Sequence, residues 1–115
     1  MRLPAQITFT GISPSAALGA YAQERVAKLD RSYGRIMRCR VVVDVPHRHP
    51  KQGARYDVRI EMTVPGGELV VSRARCDLAH TDIHACIDAA FDDAHRLLAA
   101  HAQRRRDMKR HRHAA

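Results

Sequence analysis

Aromatic residues are scarce in this chain, which has no tryptophan and only 4% aromatic side chains among its 115 residues. Aliphatic side chains must therefore supply most of the core, and the hydrophobic content of 45% is high enough for them to do so. A chain of this length forms one domain, since independent domains commonly have about 100–150 residues. We therefore expect a single small domain with an aliphatic core.

Long apolar runs are also missing. No segment approaches the ~20 apolar residues that cross a bilayer, and residues 1–4 lack the apolar stretch of a signal peptide. We expect a cytoplasmic protein with no membrane partner. Cys39, Cys76 and Cys86 form an odd set without the CxxC spacing of thiolate zinc sites. We interpret them as small buried apolar residues and not as a disulfide framework.

The sequence shows no recognisable catalytic or cofactor site. It has no nucleophile beside a base, no glycine-rich phosphate loop and no acidic cluster for a metal ion. Asp92 and Asp93 are interpreted as exposed carboxylates and not as a general acid and base, since nothing apolar flanks both of them. His80 and His84 are four residues apart, but neighbouring arginines disfavour a bound cation. We therefore expect no enzyme activity, no cofactor, no metal and no small-molecule substrate.

Acidic residues are outnumbered, because 20 lysines and arginines face 12 aspartates and glutamates, for a formal net charge of +8. A sequence pI of about 10.3 indicates an acidic partner such as nucleic acid. Six of the basic residues follow residue 103, against one aspartate. We expect a folded domain over residues 1–103 and a basic, disordered tail over residues 104–115.

The first half of the chain predicts a strand followed by a helix. Polar and apolar residues alternate over residues 6–10, as in a half-buried strand. Ser13 and Pro14 predict an N-cap and a first helical residue, and Gly34 predicts a left-handed helix end. An apolar stripe at three- and four-residue spacing lies between these signals and includes Tyr33. Helix one should therefore run from Pro14 to Gly34.

The second half predicts three strands and a helix. Residues 39–45 and 56–64 alternate with period two, and Pro65-Gly66-Gly67 predicts a hairpin turn before a fourth strand. A long apolar stripe follows Thr81, a candidate N-cap, and the helix should end near Arg104. The predicted fold is α+β in the order β-α-β-β-β-α. Each strand has one apolar face, so both helices should cover the same side of a four-stranded sheet.

Basic side chains recur at regular positions on both helices. Each residue of a helix advances by about 100°, which places three basic residues of helix one in the same sector: Lys28, Arg31 and Arg35. Arg25 lies nearer the apolar stripe, where its guanidinium can emerge between the helices. An eleven-residue spacing aligns three positions on helix two: His84, His95 and Arg106. The same pattern also fits ordinary solvated helix faces.

The predicted burial of Phe9, Tyr56 and Phe91 leaves no exposed aromatic side chain to stack on bases. Recognition of splayed single strands is therefore disfavoured. Recognition of the backbone and shape of folded RNA is favoured.

Several segments resemble one bacterial family. They include the VPGGEL hairpin of residues 64–69, the VAKL segment of residues 26–29 and ACIDA of residues 85–89, in matching order and spacing. Over residues 6–106 the chain is similar to the short ribosome hibernation factors, also called protein Y, ribosome-associated inhibitor or sigma-54 modulation protein.

This resemblance implies a fold like that of a double-stranded-RNA-binding domain, docked in the decoding channel of the small (30S) ribosomal subunit. There it would occlude messenger and transfer RNA in stressed or stationary cells. The resemblance also implies contacts to 16S rRNA at five positions: Arg25, Lys28, Arg96, His101 and Arg104. Adding the helix patterns and the tail gives the full predicted set: Arg25, Lys28, Arg31, Arg35, His84, His95, Arg96, His101, Arg104, Arg105 and Arg106.

The chain also departs from the family pattern. Asp93 and Ala100 stand where relatives usually have lysine, and His84 replaces a usual tyrosine. Two other functions fit the sequence: a protein-interaction module of the sigma-54 modulation type, which an open sheet edge would serve, and a generic binder of double-stranded RNA. The sequence does not indicate whether the chain self-associates or promotes ribosome dimerisation.

Overall fold

The computed structural model describes residues 5–11, 15–44, 55–77 and 83–114. The elements follow one another in the predicted β-α-β-β-β-α order, which confirms the α+β fold: β1 (Ala5–Thr10), α1 (Ala16–Tyr33), β2 (Arg38–Asp44), β3 (Arg55–Val64), β4 (Gly67–Asp77) and α2 (Ile83–Ala114). Thr81, the predicted N-cap of helix two, and Val45, the predicted end of strand two, lie outside the described residues.

Helix α1 begins later than predicted but ends as predicted. Its N-cap is Ser15, whose hydroxyl accepts a hydrogen bond from the backbone N–H of Leu18 at 3.2 Å. The predicted start at Pro14 is therefore wrong, because the second of two nearby serines forms the cap; Ser13 and Pro14 lie outside the described residues. At the other end Gly34 adopts φ 75° and donates its N–H to the carbonyl of Asp30, a left-handed cap that glycine favours.

The four strands form one sheet in the order β1-β2-β3-β4. β1 and β2 are parallel and are joined through α1, whereas the other two pairs are antiparallel. Ile60 in β3 lies opposite Val41 of β2 on one side and Val71 of β4 on the other. This register aligns the alternating apolar side chains of neighbouring strands on one face of the sheet.

Both helices pack on that apolar face, as predicted. The core joins strand residues such as Val41, Ile60 and Met62 to helix residues such as Leu29 and Ile87, all buried. No polar or charged side chain is buried among the residues whose exposure the structure describes. The other face of the sheet and the outer faces of the helices remain available for partners.

The hairpin between β3 and β4 has a two-residue turn at Pro65-Gly66, and Val64 pairs with Gly67. Gly66 adopts φ 93°. Proline followed by a glycine with positive φ is typical of a type II turn. The predicted hairpin is therefore confirmed, with Gly67 as the first residue of β4.

Helix α2 continues to Ala114, so the prediction that it ends near Arg104 is wrong and residues 104–114 are helical. The segment has no glycine or proline, and five of its eleven residues are arginine, a strong helix former. Side-chain pairs within one turn support it: Gln103 donates to Asp107 at 3.1 Å, and Arg106 donates to Gln103 at 2.6 Å. The division into a domain over 1–103 and a separate tail stays a prediction.

Two cysteines have different states. Cys39 is fully buried and free, and burial raises the pKa of its thiol to about 12. Cys86 is also buried, but it is disulfide-bonded. The expectation of unpaired cysteines is therefore wrong for Cys86, because sequence spacing does not show which sulfurs the fold brings together.

Within the described ranges, no helix combines the length and apolar character that crossing a membrane requires. The same part of the chain has no cluster of three or more potential metal ligands.

Candidate nucleic-acid interface

Two grooves follow the line along which α1 and α2 lie side by side. The proximal groove has a volume of about 230 Å³ and is lined by Arg25, Lys28, Leu29, Ser32, Phe91, Asp92 and His95. The distal groove has a volume of about 580 Å³ and lies between the end of α1 and the second half of α2. Ser32 and His95 line both grooves, which therefore adjoin, and we call the two together the trench.

The distal groove is cationic, and none of its lining residues in the described part of the chain is acidic. Its basic residues are Arg35, His95, Arg105, Arg106 and Lys109. Its other lining residues are mostly apolar: Ser32, Tyr33, Leu98, Ala99, Ala102 and Met108. Cations above an apolar floor suit a ligand that combines anionic and apolar parts.

Arg25 lies between the helices, as predicted, but acidic side chains partly neutralise it. Its guanidinium is 3.4 Å from a carboxylate oxygen of Asp88 and 3.8 Å from one of Asp92. The hydroxyl of Tyr21 donates to the same Asp88 oxygen at 2.5 Å. Arg25 therefore joins α1 to α2 in this structure and offers less positive charge to a partner than its sequence position indicated.

Arg96 is similarly engaged. It pairs with Asp93 one turn earlier on α2, although its own side chain remains exposed. The family resemblance led us to expect lysine at position 93; Asp93 instead places an acceptor beside the Arg96 cation.

His101 and Arg105 contact the β3–β4 hairpin. Arg105 donates to the carbonyl oxygen of Pro65 at 3.1 Å, and Nε2 of His101 lies 3.2 Å from the same oxygen. A β-carbon added at Gly66 would lie 2.6 Å from the Arg105 guanidinium, so glycine permits this close approach. Both residues thus hold the turn against α2.

The remaining predicted residues separate into two groups. Lys28, Arg35, His95 and Arg106 are exposed and line the trench. Three others are exposed but line neither groove: Arg31, His84 and Arg104. The His84 ring contacts Tyr21 edge to face, with ring centroids 4.7 Å apart.

Sequence reasoning missed several residues of the distal groove, among them Tyr33, Met108 and Lys109. Lys109 was assigned to a disordered tail, but the continuing helix places it in the groove wall. Tyr33 was assigned to the buried stripe, yet it is only half-buried and also lines the groove. The absence of glycine and proline after Arg104 was the sequence signal that could have predicted a helical position for Lys109.

The open face of the sheet has mixed charge. Glu61 lies 2.8 Å from Arg59 and 3.9 Å from Arg40. The hydroxyl of Thr10 donates to Asp44 at 2.6 Å. Cations on this face are therefore accompanied by carboxylates, unlike those in the distal groove.

Residues 5–106 match the family described as sigma 54 modulation protein / S30EA ribosomal protein. The chain belongs to this family. The match confirms the resemblance seen in the sequence and covers the four strands, α1, and α2 as far as Arg106. It ends at Arg106, so Met108 and Lys109 of the distal groove lie beyond it.

Two solved structures share the fold. A ribosomal subunit interface protein from Coxiella burnetii is 14% identical, with a TM-score of 0.69; the alignment covers 88% of this chain and 99% of that one. The N-terminal domain of Protein Y from Thermus thermophilus is 21% identical, with a TM-score of 0.58, and the alignment covers 85% and 96% of the two chains. No curated protein sequence matches the chain.

Proposed function

We propose that the chain is a non-enzymatic ribosome hibernation factor that acts in the cytoplasm. It binds 16S rRNA in the decoding channel of the small (30S) ribosomal subunit and occludes messenger and transfer RNA. Family membership supports ribosome association, and the name of one structural relative, a ribosomal subunit interface protein, agrees with it. The observation that carries the RNA contact is the acid-free basic wall of the distal groove.

The trench suits the phosphate backbone of folded RNA. Lys28 lies at its proximal end, and Arg35, Arg106 and Lys109 lie along its distal part. Cations placed along a groove neutralise successive phosphates and release condensed counterions, which drives association. Inhibition then needs no catalysis, because the bound domain fills space that messenger and transfer RNA require.

Co-sedimentation with purified small subunits on sucrose gradients tests this proposal. We expect binding at low salt and an affinity loss of more than about tenfold between roughly 50 and 200 mM salt, because several phosphates are neutralised. Added messenger or transfer RNA should displace the protein. An affinity that does not change with salt concentration, or the absence of a complex at low salt, would contradict RNA binding.

Displacement by RNA, binding to free duplex RNA and sensitivity to nuclease together distinguish the proposal from its alternatives. A generic binder of double-stranded RNA would bind free duplex RNA as tightly as small subunits. A protein-interaction module would bind in a way that nuclease digestion of the RNA leaves unchanged. A hibernation factor prefers intact subunits and loses binding when the channel is already filled.

A further inference from the structure

We infer that the distal groove holds one unpaired nucleotide of RNA, with its base on the apolar floor and its phosphate on the cationic rim. This inference rests on the proposed function and specifies the chemistry of part of its binding surface. It also revises the sequence-based expectation that single-stranded nucleotides are not recognised.

The first argument is the mixed chemistry of the groove. Tyr33 and Met108 supply an aromatic and a polarisable surface, and Arg35, Arg106 and Lys109 supply positive charge. A base stacks on aromatic and planar side chains, whereas its phosphate is bound by arginine and lysine. The phosphate backbone of a duplex would gain no binding energy from the apolar floor.

The second argument is size. The groove volume of about 580 Å³ falls within the range of roughly 300–1,000 Å³ typical of small-ligand sites. One nucleotide fits such a space, but a base pair with both backbones does not enter it. The apolar floor also lies between the helices, where a paired base inside a duplex would not reach.

The third argument is the contrast with the proximal groove. That groove includes Asp92, and its Arg25 is already paired with Asp88 and Asp92. A phosphate beside Asp92 would be bound less favourably than one in the distal groove, whose described lining residues include no carboxylate. The nucleotide is therefore assigned to the distal groove.

The fourth argument is the origin of the groove wall. Met108 and Lys109 lie after the end of the family match at Arg106, in the continuation of α2. Part of the groove wall is thus formed by a helical segment outside the family match.

Titrations followed by two-dimensional NMR test the inference on the full chain. The probes are adenosine 5′-monophosphate, inorganic phosphate and adenosine, each at constant ionic strength. We expect the monophosphate to shift the amide signals of Tyr33, Arg35 and Lys109 and to bind at least about tenfold more tightly than phosphate, a difference of ~1.4 kcal/mol. Equal affinities for phosphate and the nucleotide, or shifts confined to other regions, would overturn the inference.

A matched pair of double variants separates placement from charge. Arg106→Ala with Lys109→Ala removes two cations that line the groove, and Arg38→Ala with Arg110→Ala removes two exposed cations that do not. The first pair should weaken nucleotide binding about tenfold, and the second should change it less than twofold. Equal losses would show general charge attraction and overturn the inference.

Two RNA probes identify the source of the nucleotide. A short single-stranded RNA should shift the groove signals more strongly than the free monophosphate, and a duplex of the same length should not. Tighter binding of the free nucleotide would overturn assignment to RNA. Ribosome co-sedimentation measured on the same samples distinguishes the two claims, since it can persist when the groove binds no nucleotide.

Discussion

The Nε of Arg25 on α1 lies 3.4 Å from the Asp88 carboxylate oxygen on α2 that accepts the hydroxyl of Tyr21. One carboxylate thus receives two groups from the neighbouring helix. The contact fixes the relative position of α1 and α2 and therefore the width of the trench between them. It also explains why Arg25 contributes less free positive charge than Lys28, three residues later.

A double-mutant cycle on Tyr21 and Asp88 should measure this cross-helix contact. Tyr21→Phe, Asp88→Ala and the double variant should give a coupling free energy of about 0.5–1.5 kcal/mol, the range for a hydrogen bond in a protein. Denaturant unfolding provides the values. A coupling indistinguishable from zero would show that the 2.5 Å contact does not stabilise the fold.

Gly66→Ala should destabilise the protein by about 1–2 kcal/mol, because a residue with a β-carbon is strained at φ 93°. The new carbon would also displace the Arg105 guanidinium from the turn. Gly67→Ala is the matched control, since an added β-carbon there meets nothing within 4 Å. Thermal unfolding of both variants should show a loss only for Gly66→Ala; similar midpoints would contradict the turn geometry.

Cys39 should resist alkylation in the native protein at pH 8 and react fully after denaturation, as site-resolved mass spectrometry can show. Burial raises the pKa of its thiol from 9.0 to about 12, so the reactive thiolate is suppressed. The folded thiol holds its proton more tightly than the unfolded one. Its contribution to stability is therefore complete below pH 9 and is lost as pH rises towards 12. Rapid native alkylation would contradict burial.

Deleting residues 107–115 should weaken RNA binding and leave the domain folded. Residues 107–110 are exposed, and Leu98 is the last residue of α2 in the buried core. We expect the free energy of unfolding to change by less than about 0.5 kcal/mol, with a smaller helical signal by circular dichroism. Loss of the cooperative transition would show that this segment belongs to the folding unit.

The local parts of the fold could be predicted from the sequence because each has its own signal. Gly34 ends α1 through a left-handed conformation, and Pro65-Gly66 turns β3 into β4. The period-two alternation of β3 identified its buried face. The predicted start of α1 was wrong because Ser13 and Ser15 can both act as N-caps, and only the backbone conformation shows which of them caps the helix.

The long-range parts of the site could not be predicted in the same way. Arg25 and Asp88, or Arg105 and Pro65, are distant in sequence and meet only because the helices pack on one sheet face. The continuation of α2 beyond Arg104 was not predicted, because the run of positive charge there favoured a helix end over the signal from the missing glycine and proline.

The most direct test of the central claim compares two double variants in small-subunit binding. Lys28→Ala with Arg35→Ala removes two cations of the trench, and Arg40→Ala with Arg59→Ala removes two from the open face of the sheet. Both pairs lower the net charge equally, so only placement differs. With circular dichroism confirming that both variants fold, we predict at least about a tenfold loss of affinity for the trench pair, as expected for two lost phosphate contacts, and little change for the sheet pair. Equal losses, or a larger loss from the sheet pair, would contradict binding through the helical face.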